Sequence, residues 1–130
     1  MKPKYWNKGK SFLSNKDNVL KRIIKNFPNE NLILNDNHYH ALINSIIGQQ
    51  ISVSAANAIK NRFFCLNKTI VPKKVLNFKE ISMRECGLSR QKILYINNIS
   101  DYFILNKNFF KNINQNKEIE IKEKLISIKG

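Results

Sequence analysis

The stretch "SIIGQQISVSAANAI", Ser45 to Ile59, decides how this chain folds. Two of the chain's four glutamines stand side by side in it, as Gln49-Gln50, and all four alanines lie between positions 41 and 58. Ahead of Gly48, the residues Tyr39, Leu42, Ile43, Ile46 and Ile47 fall on one face of a helix. Beyond it, Ala55, Ala56, Ile59, Phe63 and Leu66 make a second helical stripe. The stretch is therefore a junction between two apolar helices. Gly48 ends or bends the first, and Ser52 or Ser54 suits the N-cap of the second. The small residues at 55, 56 and 58 let a neighbouring helix approach closely. Two long amides at such a junction are poor core residues, because a buried amide needs several hydrogen-bond partners. They read either as a solvated turn or as a polar wedge that fills the space left by an extruded base.

Composition bounds the rest. At 130 residues the chain makes one domain at most. Its net charge of +14 suggests a polyanionic partner such as nucleic acid. That signal is diluted by a general skew toward 20 Asn, 19 Lys and 19 Ile, as A/T-rich codons would produce. Cys65 and Cys86 have no Cys or His partner at ligand spacing, so they read as free thiols in a reducing cytoplasm. The N-terminus lacks the apolar run of a secretory signal, and no segment has the length of apolar residues that a membrane span needs.

Outward from the junction, residues 1–15 read as a basic arm carrying Tyr5-Trp6. Val19, Leu20, Ile23, Ile24 and Phe27 mark an amphipathic helix over 16–27. Asp36 or Asn37 caps the helix that leads into Gly48. Pro72 opens a short helix, Phe78 to Met83 forms another, and Ser89 caps a longer one bearing Ile93, Ile96, Ile99 and Phe103. Residues 106–116 read as a polar linker with three apolar anchors, and Glu118 to Ile128 as a last helix. No strand-like alternation of useful length is present. The class is all-α, with six or seven mostly short helices.

The other polar residues are weak candidates. His38 and His40 are two apart, which points them to different sides of a helix and suits surface or capping roles better than a metal pair. The nine acids form no catalytic pair, and no nucleophile–base set or phosphate-cradling Gly loop is visible. "GLSRQK", Gly87 to Lys92, gives a stop, a cap and two cations at a helix start. Ordinary capping explains it; phosphate contact by Arg90 and Lys92 is the functional alternative.

Together, "HALINSIIGQQISVSAANAIKNRF", "CGLSRQKILYINNISDYF" and "EKLISIKG" resemble the helix–hairpin–helix DNA glycosylase superfamily, in its DNA-3-methyladenine glycosylase II branch. "YW" followed by "LSNKDNVLKRII" resembles that branch's N-terminal helix. The resemblance implies an all-α fold around a cleft, incomplete here, with residues 36–130 supplying the core helices up to the first glycine of the hairpin. It implies an enzyme of base-excision repair that flips an alkylated purine out of double-stranded DNA and hydrolyses its N-glycosidic bond. It implies no cofactor or metal, a monomer, and a place in the bacterial cytoplasm with the nucleoid. Gln49, Gln50 and Ser52 match the segment that faces the minor groove, with Gln50 at the intercalating position. Gly130 matches the first glycine of the family's phosphate-binding hairpin, and Tyr5 and Trp6 reach the pocket rim. The family's catalytic aspartate lies farther along than Gly130, so the chain reads as an N-terminal portion, inactive alone, whose Leu125 and Ile128 lack part of their cover. The alternatives are a non-enzymatic basic DNA-binding remnant and a sister glycosylase for oxidised or mismatched bases.

Overall fold

Asp17 divides the N-terminal segment into two helices. In the computed structural model, which describes residues 2–35 and 37–130, α1 runs Trp6–Lys16 and α2 runs Asn18–Asn26. The Asp17 carboxylate accepts the amides of Val19 and Leu20 at 2.7 and 2.9 Å, satisfying two donors that the start of α2 would otherwise leave open. Residues 1–15, read above as an arm, thus hold most of a helix. The apolar marks of α1 are Trp6, Phe12 and Leu13, with Phe12 exposed and Gly9 and Lys10 between the other two, so its stripe is too broken to be seen in isolation. It is completed by α2: Tyr5, Trp6, Gly9 and Leu13 face Ile23, Ile24 and Phe27 across a shared groove. The chain divides into two compact units, Met1–Asp36 and Asn37–Gly130, and this helix pair belongs to the first.

The second unit holds the remaining helices: α3 His38–Gly48, α4 Val53–Cys65, α5 Pro72–Val75, α6 Glu80–Glu85, α7 Arg90–Leu105, α8 Lys107–Lys111 and α9 Glu118–Ile126, with a 3₁₀ turn at Ile113–Gln115. No strand occurs among the described residues, so the fold is all-α. Three caps follow directly from side-chain chemistry. Asn37 accepts the His40 amide, Ser52 the Ala55 amide and Ser89 the Lys92 amide. Asp36, the other cap considered for α3, lies outside the described residues.

The 16-residue α7 is the centre of this unit, packing on α3, α5, α6 and α8. Ile43, Ile47, Phe63, Val75, Met83 and Ile96 are the most fully buried apolar side chains of the core. Each such side chain withdrawn from water stabilises by about 1.5–3 kcal/mol. Two polar bridges cross this core. His40 donates from Nε2 to the Ile70 carbonyl at 2.7 Å, which fixes its tautomer, and its ring meets Phe64 edge-on. Arg62 donates from Nε to the Cys86 carbonyl at the end of α6. Gly87 follows with φ +99°, and a Cβ there would come within 3.1 Å of Ile59.

Three sequence expectations change. Residues 106–116 form α8 and the 3₁₀ turn, not a linker, because Phe110 is buried and stacks on Phe103 at 3.6 Å. That anchor is a tertiary contact, invisible to local periodicity. Phe78 precedes α6 instead of opening it, since Lys79 holds the extended N-cap position. Of the small residues in α4, only Ala56 is buried; Ala55 and Ala58 face solvent, so close packing rests on a single alanine. Leu125 and Ile128 are half-buried and share a concavity with Leu42, Ile46 and Ile99. No helix is long and apolar enough to cross a membrane.

Candidate nucleic-acid interface

The junction between α3 and α4 is built by its glutamines. Gly48 is the last residue of α3, has no positive φ, and has open space where a Cβ would stand, so the turn does not depend on its being glycine. Gln49 is extended at φ −61°, ψ 131°. Gln50 then takes φ 55°, and is the single non-glycine residue with positive φ among those described. That left-handed conformation costs a residue with a Cβ about 1–2 kcal/mol. The reversal throws Gln49, Gln50, Ile51, Ser52 and Val53 onto the surface, and two of these exposed residues are apolar, Ile51 at 38% and Val53 at 78% exposure. The turn is thus a strained, exposed projection with amides at its tip and aliphatic groups behind.

Beside it lies a polar concavity of about 390 Å³ lined by Gln49, Gln50, Ser89, Gln91, Lys92, Tyr95 and Gly130. Four residues singled out in the sequence, Gln49, Gln50, Lys92 and Gly130, therefore meet in one place although they come from three distant segments. Ser52 stands outside, its hydroxyl spent on the α4 cap. Arg90 also stands outside: 83% exposed, it reaches Glu80 at 3.7 Å, a pairing of little strength in water. Tyr5 and Trp6 belong to the first unit, where they line the groove between α1 and α2.

Lys92 is committed differently from a free surface cation. Its ammonium donates to the Ile47 carbonyl at 2.8 Å and to the Gln49 carbonyl at 2.9 Å. Both carbonyls lie at the C-terminal end of α3, where the helix dipole is negative. Gln91 and Tyr95 were not identified from sequence. Gln91 donates through its amide to the Tyr95 hydroxyl. One compositional sign was available: three of the chain's four glutamines line this concavity. Gly130 closes the rim, lying against Tyr95 and Ile46, while Asn98 holds the neighbouring Lys129 carbonyl at 2.9 Å.

Chemically, the site offers amide, hydroxyl and ammonium groups and no acid. Among the described residues, no cluster of three His, Cys, Asp or Glu side chains is placed to hold a metal. Burial raises the pKa of the Cys86 thiol, against a smaller lowering by the Arg62 charge, and Cys86 lies in the core away from this turn. The arrangement suits recognition by hydrogen bonding and wedging.

Comparison with known proteins places the fold. No curated protein sequence matches the chain. Among solved structures, the 3-methyladenine DNA glycosylase Mag1 of Schizosaccharomyces pombe, in complex with abasic DNA, is similar at 28% identity with a TM-score of 0.80, over 94% of this chain and 63% of that one. DNA-3-methyladenine glycosidase of Bacillus halodurans is similar at 26% identity with a TM-score of 0.70, over 91% of this chain and 55% of that one. The chain thus spans less than two thirds of the length of either. Residues 43–126 match the family model of HhH-GPD superfamily base excision DNA repair proteins. That span contains the strained turn, its Lys92 brace and the whole of α7, and the chain belongs to this helix–hairpin–helix superfamily of base-excision DNA repair proteins.

Proposed function

We propose that the chain is the DNA-probing part of a monomeric glycosylase that excises alkylated purines of the 3-methyladenine type from duplex DNA. One observation carries this reading: the exposed Gln49-Gln50 turn, strained at Gln50, lies within the segment that matches the family. Strained, solvent-facing residues cluster at ligand clamps, where the strained conformation is part of how a partner is met.

In this reading Gln50 enters the duplex when a nucleotide is extruded. Its amide bonds the base left without a partner, and the aliphatic Ile51 and Val53 stack against the opened step. Gln49 and Ser52 face the minor groove, Ser52 also fixing the start of α4. The exposed Arg90 and the backbone at Gly130 meet phosphates on either side. The reaction of the whole enzyme is hydrolysis of the N-glycosidic bond, helped by the positive charge that alkylation leaves on the purine. No residue between 1 and 130 is assigned the chemical step. The +14 charge supplies salt-dependent attraction to any duplex, while the turn distinguishes a gapped from an intact one.

The test is equilibrium binding of the 130-residue chain to two duplexes, one intact and one carrying a tetrahydrofuran abasic analogue. The abasic duplex is expected to bind about tenfold tighter, a difference of about 1.4 kcal/mol. Gln50→Ala should abolish that preference and leave intact-duplex affinity within about twofold. Equal binding of both duplexes by the unaltered chain, or an undiminished preference in the Gln50→Ala variant, would sink the reading.

A further inference from the structure

Lys92 sits in the first turn of α7, where the helix dipole disfavours a positive charge. Its ammonium is turned away from that helix. It bridges Ile47 and Gln49, so that one cation binds the last turn of α3 and the residue immediately before the strained Gln50. The Ser89 cap accepts the Lys92 amide and holds the base of the side chain in place. Among the described residues, the Gln49 backbone has one other anchor, a long 3.3 Å bond from its amide to Ile46. From these contacts we infer that Lys92 is a positioning residue: its ammonium holds the Gln49-Gln50 turn in the left-handed conformation and so presents Gln50 to the duplex. The inference rests on the wedge reading proposed above.

Three features support this assignment. The bridging distances of 2.8 and 2.9 Å are those of charge-assisted bonds, roughly twice as strong as neutral ones. Among the described residues, no other side chain hydrogen-bonds to the backbone of residues 47–50, so no neighbour duplicates the brace. A strained φ persists only where its surroundings over-determine it. With the ammonium removed, Gln50 relaxes toward negative φ and the amide tip samples many directions. A binding step that needs one of them then occurs in proportion to the competent fraction.

The test has two arms on the 130-residue chain. In the first, amide ¹⁵N relaxation of the free protein reads the turn directly. Unaltered, Gln49, Gln50 and Ile51 should have order parameters near the rigid value of about 0.85; in Lys92→Met they should fall below about 0.6, while Phe63 and Ile96 stay rigid. Lys92→Arg, whose guanidinium also reaches two carbonyls, should restore most of the order. In the second arm, Lys92→Met should lose the preference for the abasic duplex by about tenfold, and intact-duplex affinity only by about the two- to threefold expected of one lost cation. Unchanged order parameters in Lys92→Met overturn the inference. So does a preference that survives Lys92→Met but vanishes in Gln50→Ala. A preference indifferent to Gln50→Ala defeats the wedge reading instead, and the order parameters still decide whether Lys92 holds the turn.

Discussion

Tyr39 of α3 and Ser100 of α7 are joined by a 2.7 Å hydrogen bond buried between the two helices. Its direction is fixed by chemistry. The Ser100 hydroxyl gives its one proton to the Ile96 carbonyl, also at 2.7 Å, so the Tyr39 phenol must donate. Both groups are satisfied, and the pair pins the two helices in register at a depth where an unmade bond would cost about 1–3 kcal/mol.

Burial pushes the Tyr39 phenol up to about 12. The fold therefore favours the neutral phenol. Its contribution is complete below the unfolded pKa near 10 and is lost as pH rises toward the folded value. Denaturant titrations at stepped alkaline pH should show the chain losing about 2–3 kcal/mol more than a Tyr39→Phe variant between pH 10 and pH 12. Parallel pH profiles for the two proteins would show that the phenol ionises without penalty.

The two thiols should react very differently. Cys65 is exposed at the end of α4, whereas Cys86 is 3% exposed with its pKa raised by burial. A disulfide reagent at pH 8 should label one cysteine quickly and the second only in denaturant, because the thiolate is the reactive species. Fast labelling of both, or labelling that survives Cys65→Ser, would contradict the buried placement.

Gln50→Gly should separate stability from recognition. Glycine takes φ 55° without penalty, so strain of about 1 kcal/mol is relieved, offset in part by greater freedom of the unfolded chain. The variant should melt at or slightly above the temperature of the unaltered chain, and lose the preference for an abasic duplex as Gln50→Ala does. A clear drop in melting temperature would mean that the Gln50 side chain carries packing not evident in its exposure.

The helices that were legible in the sequence are those with a local cause. Asn37, Ser52 and Ser89 cap their helices through their own side chains, and the stripe of Tyr39, Ile43, Ile46 and Ile47 is buried as its spacing requires. What was not legible depends on distant partners. α1 needs Ile23, Ile24 and Phe27 to complete its apolar face, and α8 exists where Phe110 finds Phe103. The site divides the same way. The oddity of Gln49-Gln50 is plain in one dimension. The reversal at Gln50, in place of the neighbouring glycine, is not. Nor is the reach of Lys92 to carbonyls 43 and 45 positions earlier, or the approach of Gln91 and Tyr95.

The central place of α7 also governs the order of events at the ribosome. α3, α5 and α6 all precede the helix against which they pack. At a synthesis rate of about 5–20 residues per second, His38 emerges about 3–10 s before Arg90. Ile43 and Ile47 wait through that interval with only α4 beside them, and Val75 and Met83 join them toward its end. The core of the second unit is therefore completed only after α7 has been made, with α3 and α4 able to pair before it. Until then the nascent chain presents the apolar faces that α7 will cover to whatever holdase or protease is at hand.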